Sequence, residues 1–466
     1  MRAADAAALE HVDQSVLVGR AGRAVALGAL GLMGGAYGRR VVVVAGKGNN
    51  GEDGRVAAGL LAKRGSRVRV LDAALAPADL GRADLVIDAA YGTGFHGSYE
   101  APGVDPSTPV LAVDIPSGVD GDTGVASGRP LRATATVTFA ALKPGLLQGD
   151  GRGLAGPVQV ADIGVDVSNS EIALVEDADV VDRLPLRGRD AHKWESAVAV
   201  VAGSPGMEGA AVLSAQGASH GGAGMVRLMH PAANEAFPSP GPWPAESVRV
   251  PLGSSGWAEA VLAAIDRCRA VVIGPGLGRD EPTREEIRHL LARCPVTVIL
   301  DADGLAAFDD ADQLRRAIAE GTRPVILTPH DGEYRALLGE PPGPDRVAAA
   351  RRLAAATGAV VLVKGSLTAV SAAPGGAEGP EVLLAAAGTA RLATAGTGDV
   401  LSGILGAFVA RGLSPPLAAA LAAHVHGRAA ATGPAEGLVA GDLPGLVSAW
   451  LSRALAPLED AGERIR

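Results

Sequence analysis

Aromatic side chains are scarce in this chain. Phe, Trp and Tyr make up 3% of its 466 residues, so a large core has to be packed from Ala, Val and Leu. Cysteine is scarcer still: Cys268 and Cys294 fit no metal or redox spacing, which excludes a disulfide scaffold and favours a reduced, cytoplasmic setting. There is no basic excess. A net charge of −9 leaves a nucleic-acid partner without the positive face it needs. The uncharged stretch Ala24–Gly38 falls short of the ~20 apolar residues that span a bilayer. Asp5, Glu10 and Asp13 before it do not fit a signal peptide. The stretch reads as a buried or half-buried helix, and no membrane partner is expected. Lysine is also rare, five of 42 basic residues, and Lys47, Lys143, Lys193 and Lys364 each stand beside Gly, Pro or His. Arg cannot replace a compact ammonium at a close contact without changing its geometry.

Glycine is plentiful, and it concentrates in two loops about 350 residues apart. Gly46-Lys47-Gly48-Asn49-Asn50-Gly51-Glu52-Asp53-Gly54 follows an apolar run, and Ala395-Gly396-Thr397-Gly398-Asp399 opens a helical pattern. Neither has P-loop or dinucleotide-fingerprint spacing. Short apolar runs at Arg40–Ala45, Val68–Leu71, Leu85–Ala89, Val110–Asp114 and Thr136–Ala140 alternate with helical segments such as Arg55–Arg64. That alternation predicts an α/β, doubly wound sheet. The pattern weakens between Val165 and His192, then a second series begins with runs at Ala197–Ala202, Met225–Leu228, Ala270–Ile273, Val296–Leu300, Val325–Leu327 and Val360–Val363. The boundary is placed near residue 172, giving domains 1–172 and 173–466.

In the first domain, polar residues gather after the strand ends, where open α/β sheets bind ligands. The loop at Gly46–Gly54 can turn backbone N–H groups towards an anion. Asn50, Asp88 and Ser117 offer oxygen ligands to one hard cation. Asp114 is the best-placed acid/base group. Asn49-Asn50-Gly51-Glu52-Asp53-Gly54, Asp88, Gly92-Thr93-Gly94, Asp114-Ile115-Pro116-Ser117-Gly118 and Leu142-Lys143-Pro144-Gly145 resemble the NAD(P)H-hydrate epimerase domain. The resemblance covers roughly residues 1–170. It implies a Rossmann-like three-layer fold that interconverts the R and S epimers of hydrated NADH and NADPH (NADHX and NADPHX). It further implies K+ on Asn50, Asp88 and Ser117, with Asp114 catalytic. Asn49, Asn50, Gly51, Glu52, Asp53, Asp114 and Gly92-Thr93-Gly94-Phe95-His96-Gly97-Ser98 would bind the substrate. The family loop carries Gly where Glu52 stands. If that position has positive φ or touches a phosphate, Glu costs ~1 kcal/mol or more and its charge repels an anion.

In the second domain, Gly396–Asp399 sets an anion hole at a helix start with a carboxylate aimed into it, a geometry suited to phosphoryl transfer. Asp301-Ala302-Asp303-Gly304, Thr328–Tyr334 and Lys364–Thr368 close three further strands, with Glu333 offered as a carboxylate near Mg2+. These motifs, with His192-Lys193, Gly203–Met207 and Gly274–Gly278, resemble the ADP/ATP-dependent NAD(P)H-hydrate dehydratases of the ribokinase-like superfamily. The resemblance implies a second three-layer αβα domain with Asp399 catalytic. Gly278, Thr328, Pro329, His330, Asp331, Gly332, Glu333, Tyr334 and Asp399 would contact the hydrated dinucleotide. Lys364, Gly365, Ser366, Leu367, Thr368 and Thr389-Ala390-Arg391-Leu392-Ala393-Thr394-Ala395-Gly396-Thr397-Gly398 would contact ADP or ATP.

His220 reads as exposed, and His424, His426 and Trp194 as packing residues. Two other functions share some of these features. A sugar or vitamin kinase fused to a nucleotide-binding module leaves Asn50, Asp88 and Ser117 without a role. A non-catalytic nucleotide sensor has no need of Asp114 and Asp399. The Ala-rich helices predict a homo-oligomer.

Overall fold

The valine run of Arg40–Ala45 forms β1, with Val41 and Val43 packed on one face and Val42 and Val44 on the other. The computed structural model describes residues 2–231, 243–373 and 380–463. The chain forms two compact units, Met1–Ser170 and Glu171–Arg466.

In the first unit β1 pairs with β2 (Arg67–Asp72) and β3 (Leu85–Ala89), and the sheet continues through β4 (Val110–Val113), β5 (Ala135–Phe139) and β6 (Val158–Ala161). The order is β2-β1-β3-β4-β5-β6, parallel throughout. Helices α1 (Gln14–Met33) and α2 (Asn49–Lys63) cover one face. They cross so closely that a Cβ on Gly22 would lie 2.5 Å from Val56. Helix α1 starts ten residues before the uncharged stretch and ends at left-handed Gly34. By length and composition it is apolar enough to cross a membrane, yet Ala21, Val25, Ala26, Ala29 and Met33 are buried in this core.

In the second unit β7 (Ile172–Leu174) lies in the segment where the sequence pattern weakens. It joins β8 (Ala197–Val201), β9 (Met225–Pro231), β10 (Ser247–Leu252), β11 (Ala270–Ile273), β12 (Thr297–Leu300) and β13 (Val325–Leu327). Strands β14 (Val360–Val363), β15 (Thr368–Ser371) and β16 (Val382–Ala385) complete the sheet. Among the described residues its order is β10-β9-β8-β11-β12-β13-β14-β15-β16-β7, with β15 antiparallel to both neighbours. Helices α3 (Glu208–His220), α4 (Asp331–Leu338), α5 (Thr397–Ala410) and α6 (Pro415–Thr432) surround the site. Small residues let α3 and α5 touch at backbone distance: a Cβ on Gly403 would sit 2.0 Å from the Ser214 carbonyl oxygen.

Candidate active sites

The first glycine loop is largely helix. Gly48 is the N-cap of α2 and offers no side chain, so the N–H groups of its opening turn are left for a ligand. Close approach explains two glycines. A Cβ on Gly46 would meet the Ala90 carbonyl oxygen at 1.9 Å, and one on Gly51 would meet the Gly46 carbonyl oxygen at 2.0 Å. Glu52 departs from the strained-glycine expectation. It lies within α2 and is absent from the positive-φ residues. Its exposed side chain pairs with Arg55 at 3.0 Å. Helical backbone at this position accepts any ordinary residue, so conformation does not account for the family's glycine.

Asp88, at the end of β3, is fully buried. Burial pushes its carboxyl up, against hydrogen bonds from Ser117 and Ala90. The Ser117 N–H donates to Asp88 Oδ2 at 2.9 Å, and Ser117 Oγ exchanges hydrogen bonds with the Tyr91 backbone. Asn50 lies against Gly92, the residue after Tyr91, and neither its buried Oδ1 nor its Nδ2 has a hydrogen-bond partner. An orphaned amide oxygen near a buried carboxylate that no Lys or Arg pairs with, among the described residues, fits a monovalent cation. In the Gly92–Ser98 loop, Phe95 stacks on Tyr91 at 4.1 Å between ring centroids, and Thr93, Gly94, His96, Gly97 and Ser98 are exposed.

Asp114 follows β4 directly and has φ 66°. For a non-glycine residue this left-handed conformation costs about 1–2 kcal/mol, a strain that gathers at functional sites. Its carboxylate meets Lys143 Nζ at 2.6 Å and accepts from Thr138 Oγ1 at 3.0 Å. Buried Asp53, from α2, is pushed up to about 8 by burial first, then by the charges of Asp114 and Glu52.

In the second unit Gly396, at φ 89°, caps α5 and places Asp399 in the first helical turn. Burial, then the charge of Asp301, pushes the Asp399 carboxyl up to about 7. Asp301 is fully buried after β12. Burial opposes its ionisation, but Lys364 at 2.7 Å and hydrogen bonds from Ser402 and Thr328 hold its carboxyl below the usual range. Lys364 also lies 3.8 Å from Glu333. Burial raises Glu333, and the Lys364 charge partly offsets that rise.

Several of the expected contact residues bond inward. The ring of Tyr334 is fully buried and its hydroxyl donates to the Ala349 carbonyl at 3.2 Å. Thr328 is held by Leu300 and Asp301, and the Pro329 carbonyl accepts from the Lys364 N–H. His330 and Glu333 cap α4 reciprocally, and Arg346 reaches Asp331 at 2.6 Å. Gly278, at φ 93°, donates to Asp303. The Leu367 side chain is buried. Arg391 donates to the carbonyls of Ala430, Ala431 and Gly433 at the end of α6. The hydroxyls of Thr394 and Thr397 also bond to carbonyls. Across Thr389–Gly398, side chains and backbone bonds within the turn fix its shape.

His220 is exposed. His424 and His426 are buried on α6, and His424 meets Asp177 at 2.7 Å. Trp194 is half-buried under Arg267. Sequence reasoning gave no role to Thr138 or Ser402, which stand in no motif. Only their contacts with Asp114 and Asp301 mark them.

Comparison with known proteins identifies the family. Residues 198–453 match the family model described as NAD(P)H-hydrate dehydratase. Residues 14–82 and 71–145 match that of the YjeF-related protein N-terminus. The bifunctional NAD(P)H-hydrate repair enzyme of Mycobacterium tuberculosis is 38% identical over 453 residues, covering 90% of each chain. The Mycobacterium leprae enzyme of that name is 37% identical over 98% of each. The ADP/ATP-dependent NAD(P)H-hydrate dehydratase of Bacillus subtilis, co-crystallised with ATP and Mg2+, superimposes with TM-score 0.51 at 29% identity. It covers 60% of this chain and 97% of its own. With relatives matched nearly end to end and both family models satisfied, the chain belongs to the bifunctional NAD(P)H-hydrate repair enzymes.

Proposed function

We propose that this chain returns hydrated NADH and NADPH to their active forms, the first unit interconverting the R and S epimers and the second dehydrating the S epimer. The observation that carries the reading is the half-buried Asp399 carboxyl in the opening turn of α5, pushed up to about 7 beside Lys364 and Asp301. A carboxylate with that poise can take a proton at neutral pH. As the substrate C6 oxygen attacks the terminal phosphorus of ADP or ATP, Asp399 accepts the hydroxyl proton and AMP or ADP leaves. Loss of phosphate from C6 and a proton from C5 then restores the ring double bond. The N–H groups of Gly396–Asp399 offer charge stabilisation to the transferred phosphoryl.

Mg2+ fits as a companion of the nucleotide. Among the described residues no cluster of three His, Cys, Asp or Glu side chains forms a ready metal site. A magnesium ion held mainly by phosphates and water needs only one or two protein carboxylates, and Glu333 is the candidate. In the first unit, Asn50, Asp88 and Ser117 would hold K+, which supplies positive charge to an otherwise uncompensated carboxylate. The remaining substrate and nucleotide contacts assigned to both units belong to this proposal, as do the cytoplasmic setting and a homo-oligomer, the latter checked by sedimentation.

Incubating mixed hydrated NADH epimers with ADP or ATP, while following the near-ultraviolet absorbance of reduced nicotinamide, tests the whole reading. Full recovery is expected. No recovery with either nucleotide removes the dehydratase, and recovery that stalls on one epimer removes the epimerase. Replacing K+ by Li+ should slow only the epimerisation.

A further inference from the structure

We propose that Lys143 and Thr138 are positioning residues that hold Asp114 by one oxygen, leaving Oδ2 as the atom that exchanges a proton with the substrate. The inference rests on the epimerase reading above. An ammonium has three N–H donors and no acceptor. Those of Lys143 go to Asp114 Oδ1 at 2.6 Å, Thr138 Oγ1 at 2.9 Å and the Phe139 carbonyl at 3.0 Å. All three donors are spent inside the protein, and the side chain is 7% exposed. Lys143 therefore has no donor left for a ligand.

Thr138, fully buried on β5, completes the arrangement. It must accept from Lys143, which has no lone pair to offer, so its single proton goes to Asp114 Oδ1 at 3.0 Å. Both bonds end on the same carboxylate oxygen. Among the described residues none reaches Oδ2. The backbone is fixed as well: the Asp114 N–H donates to the Val137 carbonyl at 2.7 Å, with φ at 66°. The charged groups facing this carboxylate are Lys143, from the turn after β5, and Asp53, from α2. A counter-charge placed on one oxygen orients the carboxylate without covering the oxygen that works.

Full-length variants test this, with wild-type epimer interconversion measured first. Failure of the wild-type chain to interconvert epimers removes the epimerase reading and this inference with it. If interconversion is present, Lys143→Met should lower kcat by about 100-fold. KM should change by less than about threefold. Thr138→Val should lower kcat by about tenfold, with Thr138→Ser restoring it. A Lys143→Met chain of normal Tm with unchanged kcat overturns the proposal. Should Lys143→Met not fold, the Thr138 pair decides: equal kcat in the Val variant and wild type also overturns it.

Discussion

Asp114 and Asp399 are the two carboxylates proposed to handle protons, and the units hold them in opposite ways. Asp114 is strained, ion-paired and hydrogen-bonded before any ligand arrives. Asp399 sits in a relaxed helical turn, and among the described residues no side chain hydrogen-bonds it. The nearby ammonium of Lys364 is instead committed to Asp301. The contrast follows the chemistry. A site without a phosphoryl donor has to supply its own fixed counter-charge. A site that receives nucleotide phosphates and a divalent ion can leave its base lightly held, because much of the final field comes with the substrates.

Removing each carboxylate in turn is the strongest way to break the comparison. Asp399→Asn is expected to reduce ADP-dependent recovery by about a thousandfold while epimer interconversion persists. Loss of both activities would show that the units are not independent. The next effect is on pH. With Asp399 at about 7, the phosphorylation step should rise with pH and be about tenfold slower at pH 6 than at pH 8. A profile flat through that range would contradict the poised base.

Smaller effects sharpen the picture of the first unit. Glu52→Gly should leave the epimerase rate within about threefold, because Glu52 is exposed and helical. The same change should cost about 1 kcal/mol of stability, measured by denaturation, since glycine weakens a helix. A large rise in rate would show that Glu52 impairs the site.

Asp53 provides a test on stability rather than rate. Its folded value of about 8 lies above its ordinary 3.8, so the folded state retains a proton that the unfolded chain has lost. Stability therefore falls as pH rises from 3.8 to about 8 and is level, for this group, beyond. Asp53→Asn should remove that fall, so its Tm advantage over wild type grows across the window. An advantage that does not vary with pH would argue that Asp53 is already ionised.

The core strands were legible because buried parallel strands need unbroken apolar runs, as in Arg40–Ala45 and Val360–Val363. Strand β7 was not legible. Its three residues pair with Val382–Leu384, some 210 positions away, and no local pattern announces such a partner. Asp114 stood out at the end of an apolar run and Asp399 beside its glycines. What supports them was hidden, because Thr138 looks like any strand threonine and Ser402 like any helix serine. The inward bonding of Tyr334 and Arg391 was hidden for the same reason: a motif gives the order of residues, whereas side-chain direction depends on packing.

That distant pairing of β7 also governs how the molecule can be divided. The last strand of the second unit's sheet comes from residues that precede the rest of it in sequence. A cut placed near His192, where the second series of motifs begins, would strip β7 away and leave β16 with a bare row of N–H and C=O groups. Such an edge invites pairing between molecules, and the isolated dehydratase would tend to precipitate. A cut at Ser170–Glu171 keeps the edge covered, so solubility of the two fragments would report whether those three residues act as a seal.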